Sequence, residues 1–203
     1  MIEEKDIKYL EGSGKIIIQS KYFLDMIRKM PADVIDFEIE DNLKIKISTP
    51  NNQYRLNCYN PMDYPNINME RGSDAINIKA SVLREIINQT SYALSTQEVR
   101  PLLTGINLKI NGDILECIAT DSYRLSKKNI KLDSPVEKLV NIVIPGRSIT
   151  ELEKIISDDE DVEIHVFTNK ILFIYKNISV QSNLLSGSYP ETSHFIPNDF
   201  AYM

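Results

Sequence analysis

A short apolar strand that runs directly into an amphipathic helix occurs three times in this chain, and this repetition constrains the fold more than any other feature. The three strand–helix junctions lie at Ser20, Ala80 and Pro145, which gives steps of 60 and 65 residues. The Tyr-Pro pairs at 64–65 and 189–190 are 125 residues apart, which equals the two steps taken together. Two independent landmarks therefore agree on the period, as expected for a repeated supersecondary unit.

Each junction is followed by a pattern typical of one helix and then several strands. Apolar residues recur at helical spacing in segments 20–30, 80–95 and 146–157, which we predict to be helices. Their apolar stripes consist of Phe23, Met26, Ile27 and Met30, of Leu83, Ile86, Ile87 and Leu94, and of Ile149, Leu152 and Ile156. Strands of alternating polarity follow, so each repeat reads βαβββ. Because a helix stripe and one face of a half-buried sheet cover each other, we predict an α+β fold with helices packed on antiparallel sheets.

The stretch from 100 to 125 carries the most local information. It reads as two strands, 105–110 and 114–120, joined by a predicted turn at Asn111-Gly112. The alternation breaks at residues 120–123, Thr-Asp-Ser-Tyr, whose hydroxyl and carboxylate groups can bond local backbone and so indicate a shaped loop. Leu103 and Leu125 lie at the two ends of this unit, where a small hydrophobic depression could form.

Three motifs, two in this stretch and one further along the chain, resemble the bacterial sliding clamp, the beta subunit of DNA polymerase III. Residues 100–105 read Arg-Pro-Leu-Leu-Thr-Gly, similar to the Arg-x-x-Leu-x-Gly strand of the family's middle domain. Residues 119–125 read Ala-Thr-Asp-Ser-Tyr-Arg-Leu, and residues 187–190 read Gly-Ser-Tyr-Pro, like two further family segments. The resemblance covers most of the 203 residues and implies the DNA-clamp fold, built from repeated βαβββ units.

A full clamp chain contains six such repeats in three domains, whereas this chain contains three. The resemblance implies that residues 1–72 form the second half of the first clamp domain. Residues 73–203 then form the complete middle domain and the start of the linker to the third domain, which is absent. The chain is therefore interpreted as a fragment of a clamp.

In the clamp family, the polymerase, the clamp loader and repair enzymes insert a short peptide, roughly Gln-x-x-Leu-Phe, into a pocket on the middle domain. The matching pocket residues here are Leu103, Thr120, Arg124, Leu125, Pro190 and Phe195, with Arg100, Leu102, Ser122, Tyr123 and His194 at the edge. Such a groove receives aliphatic and aromatic anchors while a few polar groups fix the peptide's orientation. On the residues alone, plain core positions are the favoured interpretation of Leu103 and Leu125, and the resemblance reverses this preference.

Contact with double-stranded DNA is a second implication of the resemblance. The positions that match family residues near DNA are Arg28, Gln97, Arg100 and Arg147. The chain carries a net charge of −6, yet its three predicted helices carry six basic and four acidic residues. Contacts of this kind are directed at phosphates and blind to sequence. The alternative, ordinary surface charges without a partner, stays open.

Enzymatic readings find little support. The segment 12–15, Gly-Ser-Gly-Lys, lacks the first glycine of a phosphate loop, since Tyr9 stands in that place, and it precedes a strand instead of following one. His165 and His194 are far from any nucleophile pattern. The acidic run 158–161 lacks the spacing of an EF-hand loop and is interpreted as a solvated turn. We therefore expect no catalytic site, cofactor or metal.

Composition and cysteine usage favour a cytoplasmic globular protein. An apolar fraction of 42% is ordinary for a folded domain. The sequence shows neither a signal peptide nor an apolar run long enough to span a membrane. Cys58 and Cys117 fall in strand patterns without CxxC spacing, so we expect buried free thiols in a reducing compartment.

Together these patterns predict a non-enzymatic processivity factor that tethers the polymerase to DNA, forms a homodimeric ring in its family and offers a shared peptide pocket. The alternative is a truncated, clamp-derived module that binds replication peptides without encircling DNA. A third reading, a hydrolase, would need a catalytic constellation that the sequence does not show.

The first repeat has no partner repeat in the chain. Its helix stripe and the strand residues Phe37, Ile39, Ile45 and Ile47 are expected to form an uncovered apolar face. A symmetric dimer through residues 15–60 would cover that face, and we state it as a hypothesis.

Overall fold

The computed structural model describes residues 11–12, 14–31, 34–40, 43–157 and 159–195, without the side chain of His194. In this part of the chain, no helix is long and apolar enough to cross a membrane.

The described residues form three helices and nine strands, with short 3-10 turns between some of them. The helices are α1 (Ser20–Arg28), α2 (Ala80–Ser91) and α3 (Gly146–Ile155). The strands are β1 (Asp36–Glu40), β2 (Lys44–Ser48), β3 (Gln53–Asn57), β4 (Ala75–Lys79), β5 (Gly105–Thr120), β6 (Leu125–Pro145), β7 (Asp161–Val166), β8 (Lys170–Tyr175) and β9 (Ile178–Asn183). The 3-10 turns are Pro61–Asp63, Pro101–Thr104 and Ser193–Phe195. The chain divides between Asn68 and Met69 into an N-terminal unit and a C-terminal unit.

The N-terminal unit packs α1 on an antiparallel sheet of order β1-β2-β3. The predicted stripe of α1 contacts Ile45 and Ile47 of the central strand, which are buried. Phe37 and Ile39 of the edge strand are each about half exposed. The expectation of one uncovered strand face was therefore wrong for Ile45 and Ile47, because α1 already covers the central strand.

Two predicted features of this unit are shorter in the structure. The apolar strand predicted directly before the junction at Ser20, residues 16–18, is reduced to a single bridge between Ile17 and Tyr59. Helix α1 ends at Arg28 because the next two N–H groups, of Lys29 and Met30, bond three residues back in a tight turn before Pro31.

The C-terminal unit combines the second and third repeats by exchanging their first strands. Strand β4 of the second repeat joins the sheet β4-β7-β8-β9, otherwise formed by the third repeat. Residues 140–145 at the end of β6, the first strand of the third repeat, pair with residues 105–110 of β5. This exchange lets two similar repeats share one core, since each covers apolar surface that the other would expose.

The shared core contains the two predicted helix stripes. Leu83, Ile86 and Ile87 of α2 and Ile149 and Leu152 of α3 are buried among residues of both sheets. The predicted α+β architecture of helices on antiparallel sheets is confirmed. Helices α2 and α3 end at Ser91 and Ile155, a few residues before the predicted ends.

The predicted hairpin at Asn111-Gly112 was wrong. Residues 105–120 form one long strand, β5, that pairs with β6 along its whole length. Gly112 has a φ of +62° and lies opposite Val136, where the register shifts on both sides. The extra residues belong to β6, because β5 advances two residues on each side of this pair while β6 advances four and five. Gly112 therefore lies opposite a bulge within a continuous strand and forms no two-residue turn.

Candidate functional site

The turn from Thr120 to Arg124 connects the ends of β5 and β6 and is held by its own side chains. The Thr120 hydroxyl donates to the Arg124 carbonyl at 2.7 Å and accepts from the Ser122 N–H at 3.1 Å. The Asp121 carboxylate accepts from the N–H groups of Tyr123 and Arg124, each at 3.0 Å. These N–H donors, that of Arg124 first, hold the pKa of Asp121 below its usual value. The predicted shaped loop is confirmed.

This internal bonding fixes an uncommon backbone conformation at Ser122. Its φ is +79°, in the left-handed region that residues with a side chain seldom adopt. The Ser122 hydroxyl accepts a hydrogen bond from Nη1 of Arg100 at 3.2 Å. This bond links the turn at 120–124 to Arg100, the residue that precedes the 3-10 turn Pro101–Thr104.

A second segment, residues 185–195, approaches the same turn after β9. The Leu185 N–H donates to the Val143 carbonyl at 2.9 Å, which anchors the start of the segment on β6. Gly187 has a φ of +128°, and a Cβ there would lie 3.0 Å from the side chain of Leu102. The hydroxyl of Tyr189 accepts the Thr120 N–H at 3.1 Å. Burial raises the pKa of Tyr189 to about 12.

Between these segments lies a cavity of about 370 Å³. It is lined by Arg100, Pro101, Leu102, Leu103, Thr120, Ser122, Pro190 and Phe195. Leu103 and Thr120 are buried, whereas Phe195 is largely exposed and forms an accessible wall. Arg100 carries the one charged side chain among these eight residues. The cavity can therefore hold apolar side chains while its single guanidinium meets a polar or anionic group.

Seven of the eleven residues matched to the family pocket line this cavity: Leu103, Thr120, Pro190, Phe195, Arg100, Leu102 and Ser122. Leu125 is half-buried and lies opposite Thr120 in the strand register, outside the lining. Tyr123 is 98% exposed. The guanidinium of Arg124 is held by Asp121 at 3.0 Å and lies 5.9 Å from the ring centre of Tyr92. The side chain of His194 lies outside the described residues.

The sequence missed two contributors to the cavity. Pro101 lines it directly because it opens the turn that presents Leu102 and Leu103. Tyr189 does not line the cavity, but its hydroxyl accepts a hydrogen bond from Thr120, which does. Tyr189 belongs both to the Tyr-Pro pair that marked the repeat period and to the Gly-Ser-Tyr-Pro motif, but neither pattern gave its side chain a role.

The four positions matched to DNA contacts are all exposed. Arg28 occupies the last turn of α1 in the N-terminal unit. In the C-terminal unit, Arg147 lies in the first turn of α3, and Gln97 and Arg100 follow α2. The structure thus presents each of them to solvent, as a phosphate contact requires.

Several other helix charges are engaged in ion pairs. Arg84 lies 3.7 Å from Glu153, Lys154 lies 2.8 Å from Glu151, and Glu85 lies 2.7 Å from Lys128 of β6. Helices α2 and α3 together carry three basic and three acidic side chains, so the described helices of the C-terminal unit have no net charge.

The other sequence candidates have ordinary structural surroundings. Ser13 and Tyr9 of the phosphate-loop comparison lie outside the described residues, as does Asp158 of the acidic run. The remaining acidic residues are partnered: Asp159 accepts from the Ser81 hydroxyl, and Asp161 pairs with Lys79 at 2.9 Å. In the described part of the chain, no cluster of three or more His, Cys, Asp or Glu side chains could hold a metal ion.

The histidine and the cysteines that the sequence singled out are buried. His165 places Nε2 2.7 Å from a carboxylate oxygen of Glu163 on the same strand. Cys58 and Cys117 are free thiols, as predicted. Burial raises the pKa of Cys117 to about 12, far above the range in which a thiolate forms at neutral pH.

Comparisons with known proteins agree with the fold. The model for the DNA polymerase III beta subunit, central domain, matches residues 77–191, and the model for its N-terminal domain matches residues 2–68. The chain belongs to the DNA polymerase III beta subunit family. It is 37% identical over 197 residues to the beta sliding clamp of Bacillus subtilis (strain 168), an alignment that covers 97% of this chain and 52% of that protein.

Solved sliding clamps show the same backbone. The sliding clamp of Bacillus subtilis superposes with a TM-score of 0.86 at 38% identity, over 92% of this chain and 49% of that one. The beta chain of Streptococcus pneumoniae superposes with a TM-score of 0.87 at 34% identity, over 94% and 51% of the two chains. The chain thus spans about half the length of the beta subunits that it matches.

Proposed function

We propose that this chain is part of a DNA sliding clamp, a non-enzymatic cytoplasmic processivity factor that tethers the replicative polymerase to DNA and binds short peptides of replication and repair proteins. Residues 1–72 would supply the second half of the first clamp domain and residues 73–203 the middle domain. The observation that carries the peptide-binding part is the apolar cavity of the C-terminal unit, lined by residues from all three clamp motifs.

The size and lining of the cavity suit a peptide of the Gln-x-x-Leu-Phe type. At about 370 Å³ it can receive two large apolar side chains. Leaving water contributes about 1.5–3 kcal/mol for each such anchor before the cost of ordering the peptide. Leu102, Leu103 and Phe195 supply the apolar contacts, and Arg100 supplies donors for the peptide backbone or an acidic side chain. We expect a dissociation constant on the order of 10–100 µM.

Calorimetry with two peptides tests this proposal. A peptide that ends in Leu-Phe should bind one site per chain, and the same peptide with both anchors replaced by alanine should show no binding at equal concentration. Equal heats from the two peptides would mean that the apolar cavity does not recognise the anchors, and would refute the proposal.

For double-stranded DNA, we propose contacts that act only within a closed homodimeric ring. Arg28, Gln97, Arg100 and Arg147 are exposed, but ion pairs compensate much of the remaining helix charge. A few phosphate contacts without enclosure are lost near physiological salt. Fluorescence anisotropy with labelled duplex should show no binding by this chain near 150 mM salt, because salt at about that concentration screens exposed charges. Tight binding that resists salt would favour a direct DNA reader instead.

The alternative is a module that binds replication peptides without encircling DNA. One observation favours it for the 203 residues themselves: the described cavity lies within the C-terminal unit, so it needs no ring. A processivity assay separates the two functions, since the module would bind the peptide but leave the length of polymerase products unchanged.

A further inference from the structure

The cavity has two walls that come from separate parts of the C-terminal unit. One wall comprises residues 100–103 together with Thr120 and Ser122, and the other comprises Pro190 and Phe195. The space available to a ligand depends on the distance between these walls. The contacts that join them are therefore as important to recognition as the lining itself.

The first wall is rigid because its hydrogen bonds are internal. Thr120 is buried and bonds both Ser122 and Arg124 through its hydroxyl. Arg100 bonds Ser122 across the wall. Thr120 also ends the long strand β5, whose pairing with β6 continues to Leu125.

Among the described residues, the second wall has fewer hydrogen bonds to the rest of the C-terminal unit, although Thr192 in its segment is buried. After Leu185 is anchored on β6, the segment passes Gly187 and reaches Tyr189, whose hydroxyl accepts the Thr120 N–H at 3.1 Å. The hydrogen bonds that follow join residues of the segment to one another. Glu191 accepts the Ser193 N–H at 3.1 Å, and the Thr192 carbonyl accepts the Phe195 N–H at 3.1 Å.

We propose that Tyr189 is a positioning residue of the peptide site, whose hydroxyl sets the separation of the two walls by accepting the Thr120 N–H. Tyr189 directly precedes Pro190 of the second wall and bonds Thr120 of the first, so one side chain connects both. Its role in affinity rests on the proposed peptide-binding function, whereas its role in wall geometry does not.

Removal of this hydroxyl has a defined physical consequence. Tyr189→Phe keeps the ring that fills the half-buried position, so the chain is expected to fold. The Thr120 N–H loses its acceptor while Thr120 stays buried, and an unsatisfied buried donor is unfavourable. The segment therefore relaxes away from Thr120, and the walls no longer match a Leu-Phe anchor pair.

The test uses a control of similar chemistry outside the cavity. Ser182 is buried, and its hydroxyl donates to the Ser148 hydroxyl at 2.8 Å, between β9 and α3. Ser182→Ala thus removes one buried hydroxyl without touching either wall. We expect Tyr189→Phe to weaken binding of a Leu-Phe peptide about tenfold and Ser182→Ala to change it less than about twofold. Both variants should lower Tm by similar amounts, since each loses one buried hydroxyl.

Amide hydrogen exchange at Thr120 provides the second measurement, and it needs no peptide. Exchange at this N–H should accelerate at least about tenfold in Tyr189→Phe and stay unchanged in Ser182→Ala. Unchanged exchange, or unchanged affinity for a peptide that wild type binds, would overturn the positioning role. If wild type binds no peptide, the proposed function fails, and the exchange rate alone then decides whether Tyr189 holds the walls.

Discussion

Truncation of Leu102 should weaken peptide binding without removing the fold. The side chain lines the cavity, is half-buried, and packs over Gly187. Leu102→Ala removes three carbon atoms, each worth about 0.8 kcal/mol when fully buried. Because the side chain is already partly buried in the free protein, roughly half of that total, about 1–1.5 kcal/mol, is available to the peptide. A loss of this size corresponds to a dissociation constant about five- to tenfold higher.

Isothermal titration calorimetry with a Leu-Phe peptide measures this change, and the chain offers a matched control. Leu139 of β6 is 73% exposed and is not part of the cavity lining. Leu139→Ala should leave the dissociation constant within about twofold of wild type, since the side chain buries little surface. Equal affinities for wild type and Leu102→Ala, or equal losses in both variants, would refute the assignment of Leu102 to the ligand-binding wall.

Four further outcomes are expected. N–H donors keep the pKa of Asp121 low, so its charge stabilises the fold above the unfolded pKa of about 3.9, and this contribution is lost as pH falls through the folded pKa. Thermal melts should therefore show Asp121→Asn with a lower Tm than wild type at pH 7, and the difference should shrink as pH falls below about 3.9. Cys117, with its pKa near 12, should stay unlabelled by a thiol reagent at neutral pH unless urea unfolds the chain. Gly146→Ala would place a Cβ 2.5 Å from Leu94 and 2.6 Å from a backbone carbonyl, so urea unfolding should show a loss of about 1–3 kcal/mol. Light scattering tests the dimer through residues 15–60, which Ile39→Lys, at the half-exposed edge strand, should convert to monomer.

The parts of the fold that the sequence predicted are those where burial repeats regularly. The helix stripes of α2 and α3 are buried as expected because a helix presents one face to the core, whatever its neighbours are. The strands of the first and third repeats likewise follow from alternation. The hairpin at Asn111-Gly112 was wrong because an Asn-Gly pair tolerates positive φ in a continuous strand as well as in a tight turn, and the partner residues on β6 that decide between the two lie beyond the turn at 120–124.

The exchange of strands between repeats could not be predicted from local sequence patterns, because those patterns do not show which strands pair. Each repeat reads βαβββ by itself, but β4 pairs with β7 of the next repeat. Pairing partners depend on which apolar faces remain uncovered after local folding, and that is a property of the whole C-terminal unit. The strand predicted at 16–18 is likewise reduced to one bridge at Ile17, because strand pairing there depends on residues elsewhere in the N-terminal unit.

Most of the cavity could be predicted because its lining comes from motifs that resemble a known family. Leu125 and Arg124 do not line it, since Leu125 pairs across the strands with Thr120 and Arg124 is drawn to Asp121. Pro101 and Tyr189 were missed because their contributions come from backbone direction and from one hydrogen bond, which residue type alone does not encode.

Chemical-shift mapping during titration with a Leu-Phe peptide tests the peptide-site claim most directly. The methyl groups of Leu102 and Leu103, the Thr120 amide and the Phe195 ring should shift together and saturate at one peptide per chain. The second cavity, of about 280 Å³ and lined in the N-terminal unit by residues that include Ile18 and Leu56, serves as the internal comparison. Shifts confined to that cavity, or spread evenly over the surface, would contradict the account.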